Sequence, residues 1–280
     1  PDVLTETTAD FGFALMMAAA RRVSESEHFL RAGQWRQWRY DLFAGAEVHG
    51  STLGIMGMGR IGQAIARRGA LGFGMQVIYH NRSRLAPEVE AACGARYVGK
   101  DELLQQADHL VLVVPYSKEA HHTIGAAEIA RMKPSATLTN IARGGIVDDA
   151  ALIAALREGR IAAAGLDVFE VEPATQNPLF GMANVVCTPH LGAATTEAQE
   201  NVALQVAEQM ADYLLSGAVQ NALNMPNVSA EEAAVMGPWI KLASHLGGFI
   251  GQMTDEPIRA INILYDGKVS TMNLAALNQA

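Results

Sequence analysis

Three residues of the chain combine a reactive side chain with a position at or beyond the end of a predicted strand. Arg143 follows an apolar run and precedes two glycines, Glu172 precedes Pro173, and His190 ends the strand-like run 184–190. Arginine offers a planar cation that stays charged, and histidine exchanges protons near neutral pH. Such a set could bind an anion and transfer a proton. Each residue alone could instead have a structural role, as a helix-start salt bridge, a loop acid or a strand-end histidine.

A glycine-rich turn lies upstream of these residues, with the spacing Gly57-x-Gly59-x-x-Gly62 between an apolar strand and a helix. Gly57 permits a tight bend, Gly59 lets the backbone approach a pyrophosphate, and Gly62 lets the helix pack against the strand. The N–H groups at the helix start, where Arg60 and Ile61 lie, would face the phosphates. The pattern predicts a dinucleotide site.

The strand after this helix, predicted over residues 75–79, ends without the acid that usually binds the ribose 2′-hydroxyl of NAD. No acid occurs between the end of this strand and Glu88. Arginine binds phosphate in a bidentate fork, so we expect NADP(H) to be favoured, with NAD(H) as the alternative coenzyme. A solvated basic loop is the structural alternative. The residues predicted to contact the coenzyme here are His80, Asn81, Arg82, Ser83 and Arg84.

Composition and charge narrow the functional class. The formal charge is −8 and the pI is near 5.5, which argues against a nucleic-acid-binding surface. Cys93 and Cys187 lie far apart, which fits a reducing compartment and predicts a cytoplasmic protein. A zinc pair of Cys187 with His190 has no second pair of ligands nearby, and a solvated helix start explains His121 and His122 better than a metal site does, so we predict no metal site.

The longest apolar stretch, residues 11–20, is bounded by Asp10 and Arg21. It is too short to span a membrane, and acids rather than basic residues precede it, so we expect neither a membrane span nor a signal peptide. The chain starts without methionine and almost directly with a helix, which we interpret as a truncated beginning.

From residue 52 onward, predicted strands alternate with predicted helices, which indicates an α/β protein with a doubly wound parallel sheet. Ligands bind at the carboxyl ends of the strands in such a sheet. The tail is predicted to start as a helix and then to form a strand or hairpin at residues 258–269. Further predicted strands cover 109–115, 136–143, 161–169 and 184–190, and further helices cover 5–31, 100–106, 147–159 and 195–215.

The glycine turn and three further stretches resemble the D-isomer-specific 2-hydroxyacid dehydrogenases over about residues 1–224. The three are NIARGGIVDD (140–149), DVFEVEP (167–173) and TPHLGA (188–193). Up to about residue 170 the chain is most similar to glyoxylate/hydroxypyruvate reductases. From there on it is most similar to long-form 3-phosphoglycerate dehydrogenases. The helix after the glycine turn is one residue longer than the family pattern, so the family's position at the end of the second strand corresponds to either His80 or Asn81.

This resemblance implies a Rossmann-type fold and the reduction of a small 2-keto acid to a 2-hydroxy acid by hydride transfer. Arg143 would bind the substrate, His190 would be the acid–base group, Glu172 would hold the imidazole and favour its protonated form, and Asp167 would bind the nicotinamide carboxamide. 3-Phosphoglycerate dehydrogenase is the alternative enzyme, and a dinucleotide-binding module without turnover is the alternative of another class. Further coenzyme contacts are implied at Pro115, Ile141, Ala142 and Gly192.

The resemblance also implies a domain organisation in which most of the substrate lobe is missing before the first residue. Residues 1–50 would form an interdomain and dimerisation helix and loop, and residues 51–190 the dinucleotide-binding domain. Residues 191–224 would return to the substrate lobe, and residues 225–280 would start a partial C-terminal extension. The implied assembly is a homodimer, in which a tryptophan of the neighbouring subunit, matching Trp35 or Trp38, reaches the active site. Packing within the subunit interface is the alternative role of these tryptophans.

Overall fold

A seven-stranded sheet forms the centre of the computed structural model, which describes residues 3–253 and 260–279. Every pairing in the sheet is parallel, in the order β3-β2-β1-β4-β5-β6-β7. The predicted α/β class and Rossmann-type sheet are confirmed. The strands are β1 (Thr52–Met56), β2 (Gln76–His80), β3 (Ala95–Tyr97), β4 (His109–Leu112), β5 (Thr137–Asn140), β6 (Ala163–Leu166) and β7 (Val185–Cys187).

Alternate side chains of β1, β2 and β4 supply two separate hydrophobic cores, one on each face of the sheet. In β1, for example, Leu53 and Ile55 belong to one core and Met56 to the other. A parallel sheet with both faces covered needs this nearly continuous apolar composition.

The helices are α1 (Thr5–Ala20), α2 (Val23–Arg31), α3 (Arg60–Arg67), α4 (Pro87–Cys93), α5 (Lys100–Gln106), α6 (Ala126–Ile129), α7 (Asp149–Arg157), α8 (Thr196–Ser216), α9 (Ala230–Gln252) and α10 (Leu274–Gln279).

The prediction of a single helix over residues 5–31 is wrong, because the helix is interrupted between the end of α1 at Ala20 and the start of α2 at Val23. Arg22 takes a left-handed backbone conformation with φ of 54°. Its guanidinium group donates to Glu25 at 2.7 and 2.8 Å and lies 5.1 Å from the ring centroid of Phe43. These contacts of the Arg22 side chain stabilise the interruption between α1 and α2. The spacing of apolar residues does not indicate such contacts, so it did not predict the interruption.

The helix that follows the glycine turn ends in a widened segment before β2. After α3 the chain continues as a π-helix over Arg68–Gly72 before β2 begins. A π-turn accommodates one additional residue in a helix, and the extra residue inferred from the family resemblance stays a prediction. Strand β2 ends at His80, which makes Asn81 the first residue beyond it.

The chain divides into two compact units, one up to Ala198 and one from Gln199. In the second unit, α9, α10 and a 3-10 helix at Gly267–Thr271 surround a small apolar core. The strand or hairpin predicted at 258–269 is wrong where it is described: residues 260–266 are irregular, and residues 258 and 259 lie outside the described residues. Ile261 and Ile263 alternate as in a strand but are exposed, so the pattern reflects no buried sheet face.

Over the described residues, each helix is too short or too polar to cross a membrane.

Candidate active site

The residues singled out in the sequence gather where strands β5, β6 and β7 end. Arg143 lies in the loop after β5, Asp167 is the first residue after β6, and His190 lies just beyond β7. Glu172 belongs to the loop between β6 and β7. Neighbouring parallel strands end at the same edge of a sheet, so these positions, remote in sequence, meet in space.

Glu172 and His190 form the centre of the site. Nδ1 of His190 lies 2.7 Å from Oε2 of Glu172, while Oε1 of Glu172 accepts the N–H of Phe169 at 2.8 Å. Burial tends to raise the pKa of Glu172, but the Phe169 N–H, His190 and the charge of Arg143 outweigh it, and the pKa lies below its usual value. A carboxylate at Nδ1 favours the proton on that nitrogen and leaves Nε2 to exchange protons with a ligand.

The backbone of His190 is in the left-handed region, with φ of 55°. Its N–H donates to the main-chain oxygen of Asp167 at 2.9 Å. A non-glycine residue in this region is uncommon, and such residues cluster at functional sites where the surroundings hold them in place. The predicted acid–base residue is therefore held by its backbone as well as by Glu172.

Asp167 is a buried carboxylate that ties the end of β6 to the loop after β7. Its Oδ1 accepts from the Thr188 hydroxyl and the Leu191 N–H, both at 2.7 Å, and its Oδ2 accepts from the Gly192 N–H at 2.8 Å. A carboxylate has about four lone-pair sites, so acceptor capacity remains for one further donor. The implied contact with a nicotinamide carboxamide stays a prediction, and the structure adds a positioning role.

Asn140 is a site residue that the sequence reasoning missed. It is buried at the end of β5, where its Oδ1 accepts the Ala142 N–H at 3.0 Å and its Nδ2 donates to the Arg143 carbonyl at 3.1 Å. The exposed Arg143 side chain donates to the Ala142 carbonyl at 2.7 Å. The available signal was an amide residue at the end of an otherwise apolar strand.

The glycine turn is shaped for a close backbone approach. A Cβ on Gly57, whose φ is 101°, would lie 2.7 Å from the carbonyl group of Val113, and one on Gly62 would lie 2.2 Å from the Gly57 oxygen. A Cβ on Gly59 would meet no atom within 4 Å, so this position borders open space at the start of α3, where Arg60 and Ile61 follow. The cradle fits a bound pyrophosphate.

The coenzyme contacts predicted at residues 80–84 differ in whether their side chains form hydrogen bonds within the protein or are exposed. Asn81 accepts the Met58 N–H of the glycine turn through Oδ1 at 2.6 Å, and Nδ1 of His80 lies 3.0 Å from the Val98 carbonyl oxygen. The Asn81 side chain thus braces the glycine turn, whereas the His80 side chain contacts the segment after β3. Arg82 and Ser83 are exposed beside them.

Arg84 takes part in a second brace. It donates through two nitrogens to the carboxylate of Glu90 at 2.9 and 2.7 Å, and the buried Tyr79 hydroxyl donates to the same carboxylate at 2.8 Å. Arg84 above all, and then the Tyr79 hydroxyl, hold the pKa of Glu90 below its usual value. Tyr79 also accepts the Leu85 N–H at 2.8 Å, so this network fixes the shape of the loop.

The four remaining predicted contacts line the same edge of the sheet. Ile141 and Ala142 are buried after β5, Pro115 is exposed in the loop after β4, and Gly192 is buried against Asp167. All predicted site residues thus lie in the unit that ends at Ala198.

A cavity of about 550 Å³ adjoins the Glu172–His190 pair, with Phe169, Phe180 and Cys187 in its wall. Burial, and then the charge of Asp149, raise the pKa of Cys187 to about 11, so its thiol stays protonated at neutral pH.

Two family models match separate parts of the chain. Residues 13–192 match the D-isomer specific 2-hydroxyacid dehydrogenase, NAD binding domain. The chain belongs to this family. Residues 235–280 match the D-3-phosphoglycerate dehydrogenase intervening domain. Both parts of the resemblance drawn from the sequence are thereby confirmed, and the long first match includes every predicted site residue.

Individual members of the D-2-hydroxyacid dehydrogenase family are similar over different shares of the chain. A glyoxylate reductase of Thermococcus onnurineus (strain NA1) is 51% identical over 214 residues, which are 75% of this chain and 64% of that protein. A D-3-phosphoglycerate dehydrogenase of Methanocaldococcus jannaschii (strain ATCC 43067 / DSM 2661 / JAL-1 / JCM 10045 / NBRC 100440) is 40% identical over 271 residues, 96% of this chain and 51% of that protein.

Solved structures agree with this assignment. The crystal structure of a glyoxylate reductase from Paecilomyes thermophila superposes with a TM-score of 0.72 at 38% sequence identity, covering 79% of this chain and 65% of that one. The chain thus spans between about half and two thirds of the length of these relatives.

Proposed function

We propose that this chain is the nucleotide-binding and proton-transferring part of a D-2-hydroxyacid dehydrogenase that reduces glyoxylate or hydroxypyruvate. The observation that carries the proposal is the Glu172–His190 pair, with 2.7 Å between Oε2 and Nδ1, at the sheet edge where Arg143 and Asp167 also lie. The 51% identity to a glyoxylate reductase over 214 residues supports the choice of substrate.

In this mechanism a bound reduced nicotinamide coenzyme supplies the hydride for the carbonyl carbon. Arg143 binds the substrate carboxylate through its planar guanidinium group. His190 donates the proton that the carbonyl oxygen needs to become a hydroxyl, and Glu172 stabilises the imidazolium before that transfer. General acid catalysis of this kind contributes on the order of 10²–10⁴-fold to the rate.

We further propose that NADP(H) is the preferred coenzyme. The support lies in the loop after β2, where no acid occurs before Glu88 and where Arg82 and Ser83 are exposed. A guanidinium group suits a 2′-phosphate, whereas a ribose hydroxyl is usually held by a carboxylate.

Replacing Arg82 tests the coenzyme proposal. Arg82→Ala is expected to weaken NADPH binding by at least tenfold and NADH binding much less, measured by tryptophan fluorescence titration. Arg84→Ala is the matched control: because Arg84 braces the loop through Glu90, its loss should weaken both coenzymes to a similar degree. Equal weakening of NADPH and NADH by Arg82→Ala would contradict the preference.

A second candidate is 3-phosphoglycerate dehydrogenase. It is favoured by the intervening-domain match at 235–280 and by the 96% of this chain that aligns with the Methanocaldococcus enzyme. The loop after β2 favours the first candidate, because it offers no acid for the ribose of NAD.

Turnover separates the candidates. Coenzyme oxidation is followed with glyoxylate, hydroxypyruvate and phosphohydroxypyruvate at equal concentrations, with His190→Asn as the inactive control. A higher kcat/KM for glyoxylate or hydroxypyruvate supports the first candidate, and a higher value for phosphohydroxypyruvate supports the second. Coenzyme binding without turnover of any substrate would support a dinucleotide-binding module.

We also propose that the protein is a cytoplasmic homodimer with the domain boundaries given above. The segment after α2 supports a dimer, because Trp35, Trp38 and Tyr40 are 55%, 77% and 88% exposed. Apolar side chains exposed together mark interaction surfaces. Light scattering should give twice the chain mass, and Trp38→Glu should reduce it to the chain mass. A monomeric unmodified protein would refute the dimer.

A further inference from the structure

A buried carboxylate beside the proposed coenzyme site has no part in the mechanism described so far. Glu90 lies in α4 and is 7% exposed. Among the described residues, only Glu90 and Asp167 are buried carboxylates, and Asp167 positions the loop after β7. Burying a charge is costly unless hydrogen-bond donors surround it, so the surroundings of Glu90 indicate what it does.

Donors from separate parts of the fold satisfy the Glu90 carboxylate. Its Oε1 accepts from the Tyr79 hydroxyl at 2.8 Å and from Nε of Arg84 at 2.9 Å, and its Oε2 accepts from Nη2 of Arg84 at 2.7 Å. The pKa of Glu90 is lowered first by Arg84, then by the Tyr79 hydroxyl, and also by the Tyr97 backbone in β3. A carboxylate has about four lone-pair sites. These donors fill that capacity, so Glu90 is not itself a ligand for the coenzyme.

The partner of Glu90 in this ion pair, Arg84, is a residue predicted to contact the coenzyme. The Arg84 side chain is 62% exposed, whereas that of Glu90 is 9% exposed. Nε and Nη2 lie on one edge of the planar guanidinium group, and both donate to the carboxylate. Bidentate pairing of this kind fixes the direction of the guanidinium group and compensates its charge. Arg84 therefore lies at the surface but is engaged within the protein.

A coenzyme phosphate would have to compete with Glu90 for Arg84. Removing one partner of a buried ion pair leaves an uncompensated charge and is strongly unfavourable. The carboxylate is the more buried partner, so the cost of separation falls on Glu90. Arg82, by contrast, is exposed and belongs to no ion pair within the described part of the chain. The two arginines of the loop after β2 thus differ in their availability to a phosphate.

We propose that Glu90 is a positioning residue that limits the preference for NADP(H) by withholding Arg84 from the 2′-phosphate. The loop then offers the coenzyme one uncompensated guanidinium group, that of Arg82, instead of two. The inference rests on the proposed coenzyme preference and deepens it. The pairing keeps the advantage of NADP(H) moderate, so that NAD(H) remains a usable coenzyme.

The position of Arg84 in the loop explains why its release would matter. The adenosine ribose binds at the end of the second strand in this fold, and β2 ends at His80. Arg84 follows four residues later. The loop turns back to β2 at this point, because the Leu85 N–H donates to the Tyr79 hydroxyl at 2.8 Å. A released Arg84 side chain would therefore lie near the strand end where a 2′-phosphate binds.

Glu90→Gln tests the proposal. The replacement keeps the size of the side chain and an oxygen that accepts from Tyr79, but it removes the charge that holds Arg84. We expect the Kd of NADPH to fall by about threefold or more and the Kd of NADH to stay nearly constant, because the new charge-assisted contact forms with the 2′-phosphate alone. Tryptophan fluorescence titrations of the full chain with each coenzyme give the ratio of the two Kd values.

Three further variants separate the release of Arg84 from other effects of the replacement. Glu88→Gln, in the exposed first turn of α4, removes the same charge without releasing a guanidinium group and should leave the ratio unchanged. Tyr79→Phe loosens the same network but keeps the Arg84–Glu90 pair, so it should also leave the ratio unchanged. The double variant Glu90→Gln/Arg84→Gln should lose the gain in NADPH affinity.

A ratio in Glu90→Gln equal to that of the unmodified chain would overturn the proposal, as would an equal increase in Tyr79→Phe or Glu88→Gln. If thermal unfolding shows that Glu90→Gln is not folded, Arg82→Ala decides instead. The NADPH advantage should then disappear, and an advantage that persists until Arg84→Gln is added would overturn the proposal.

The unmodified chain distinguishes failure of this inference from failure of the coenzyme proposal. Equal affinities of the unmodified chain for NADPH and NADH would refute the proposed coenzyme preference and this inference with it. A clear preference for NADPH that Glu90→Gln does not increase would refute only the role of Glu90.

Discussion

The two oxygens of Glu172 have different tasks. Oε2 lies beside the imidazole of His190, while Oε1 is held by the main-chain N–H of Phe169. The backbone therefore fixes the carboxylate before any ligand binds. A carboxylate fixed in this way can orient a proton-donating ring without rearranging during the reaction.

Replacing Glu172 by glutamine should separate charge from size. Glu172→Gln is expected to reduce kcat on the order of 10²–10⁴-fold, because the amide neither stabilises the imidazolium nor enforces the proton on Nδ1. Coenzyme affinity should change little. Steady-state reduction and fluorescence titration measure the two quantities. Glu158→Gln, at the exposed end of α7, is the control, and a kcat equal in both variants would refute this role.

The carboxylate of Glu172 should make the stability of the protein depend on pH in the acidic range. The pKa of Glu172 is lowered in the folded protein, so its contribution to stability is present above its unfolded pKa, about 4.3, and is lost as pH falls through the lower folded value. The Tm difference between the unmodified protein and Glu172→Gln should therefore shrink as pH falls through this range. A difference independent of pH would contradict the assignment. Thermal unfolding followed by circular dichroism across acidic pH measures it.

A comparison of the observed strands and loops with the predicted ones shows which features of the fold the sequence indicates. The glycine turn, the parallel sheet and the positions of Arg143, Asp167 and His190 followed from residue types and from the ends of apolar runs. Strand lengths did not: β4 was predicted over 109–115 but ends at Leu112. Hydrophobic periodicity reports burial, and the loops beyond these strands are also partly buried, so the pattern does not mark where pairing stops.

The contacts between loops were also beyond sequence reasoning. The partners of Asp167, for example, come from residues 188–192, after another strand. Likewise, the engagement of Arg84 by Glu90 depends on where α4 places that acid. Such pairings depend on three-dimensional position rather than on residue type.

The π-helix after α3 predicts an unusual tolerance to deletion. Leu71 is 80% exposed within it, so removing this residue should convert the π-turn into a regular helix and leave the Tm unchanged or higher. Deletion of the fully buried Ile65 should instead unfold the protein. The deletion moves Ala70 into the position of Gly69, where a Cβ would lie 2.7 Å from a Leu53 carbon. Circular dichroism during heating compares the two. A lower Tm for the Leu71 deletion would refute the interpretation.

The distribution of the candidate site over the chain predicts how coenzyme binding responds to truncation. Every predicted coenzyme contact lies between Gly57 and Gly192, within the unit that ends at Ala198. Removing residues 225–280 should therefore change the Kd for NADPH by less than about twofold, a free-energy change well below 1 kcal/mol. Fluorescence titration of the shortened chain measures it. A tenfold loss would show that the C-terminal part contributes to the coenzyme site.

The left-handed backbone at His190, with φ of 55°, restricts which amino acids evolution or a designer can place there. Asn and Asp tolerate this conformation and Gly adopts it readily, whereas β-branched residues are disfavoured. A gene library randomised at codon 190 should therefore yield folded clones enriched in Asn, Asp and Gly, even when selection acts on solubility alone. Enrichment of Val and Ile would show that the turn can relax. For the same reason, His190→Asn removes the acid–base chemistry with less disturbance of the turn than His190→Ala.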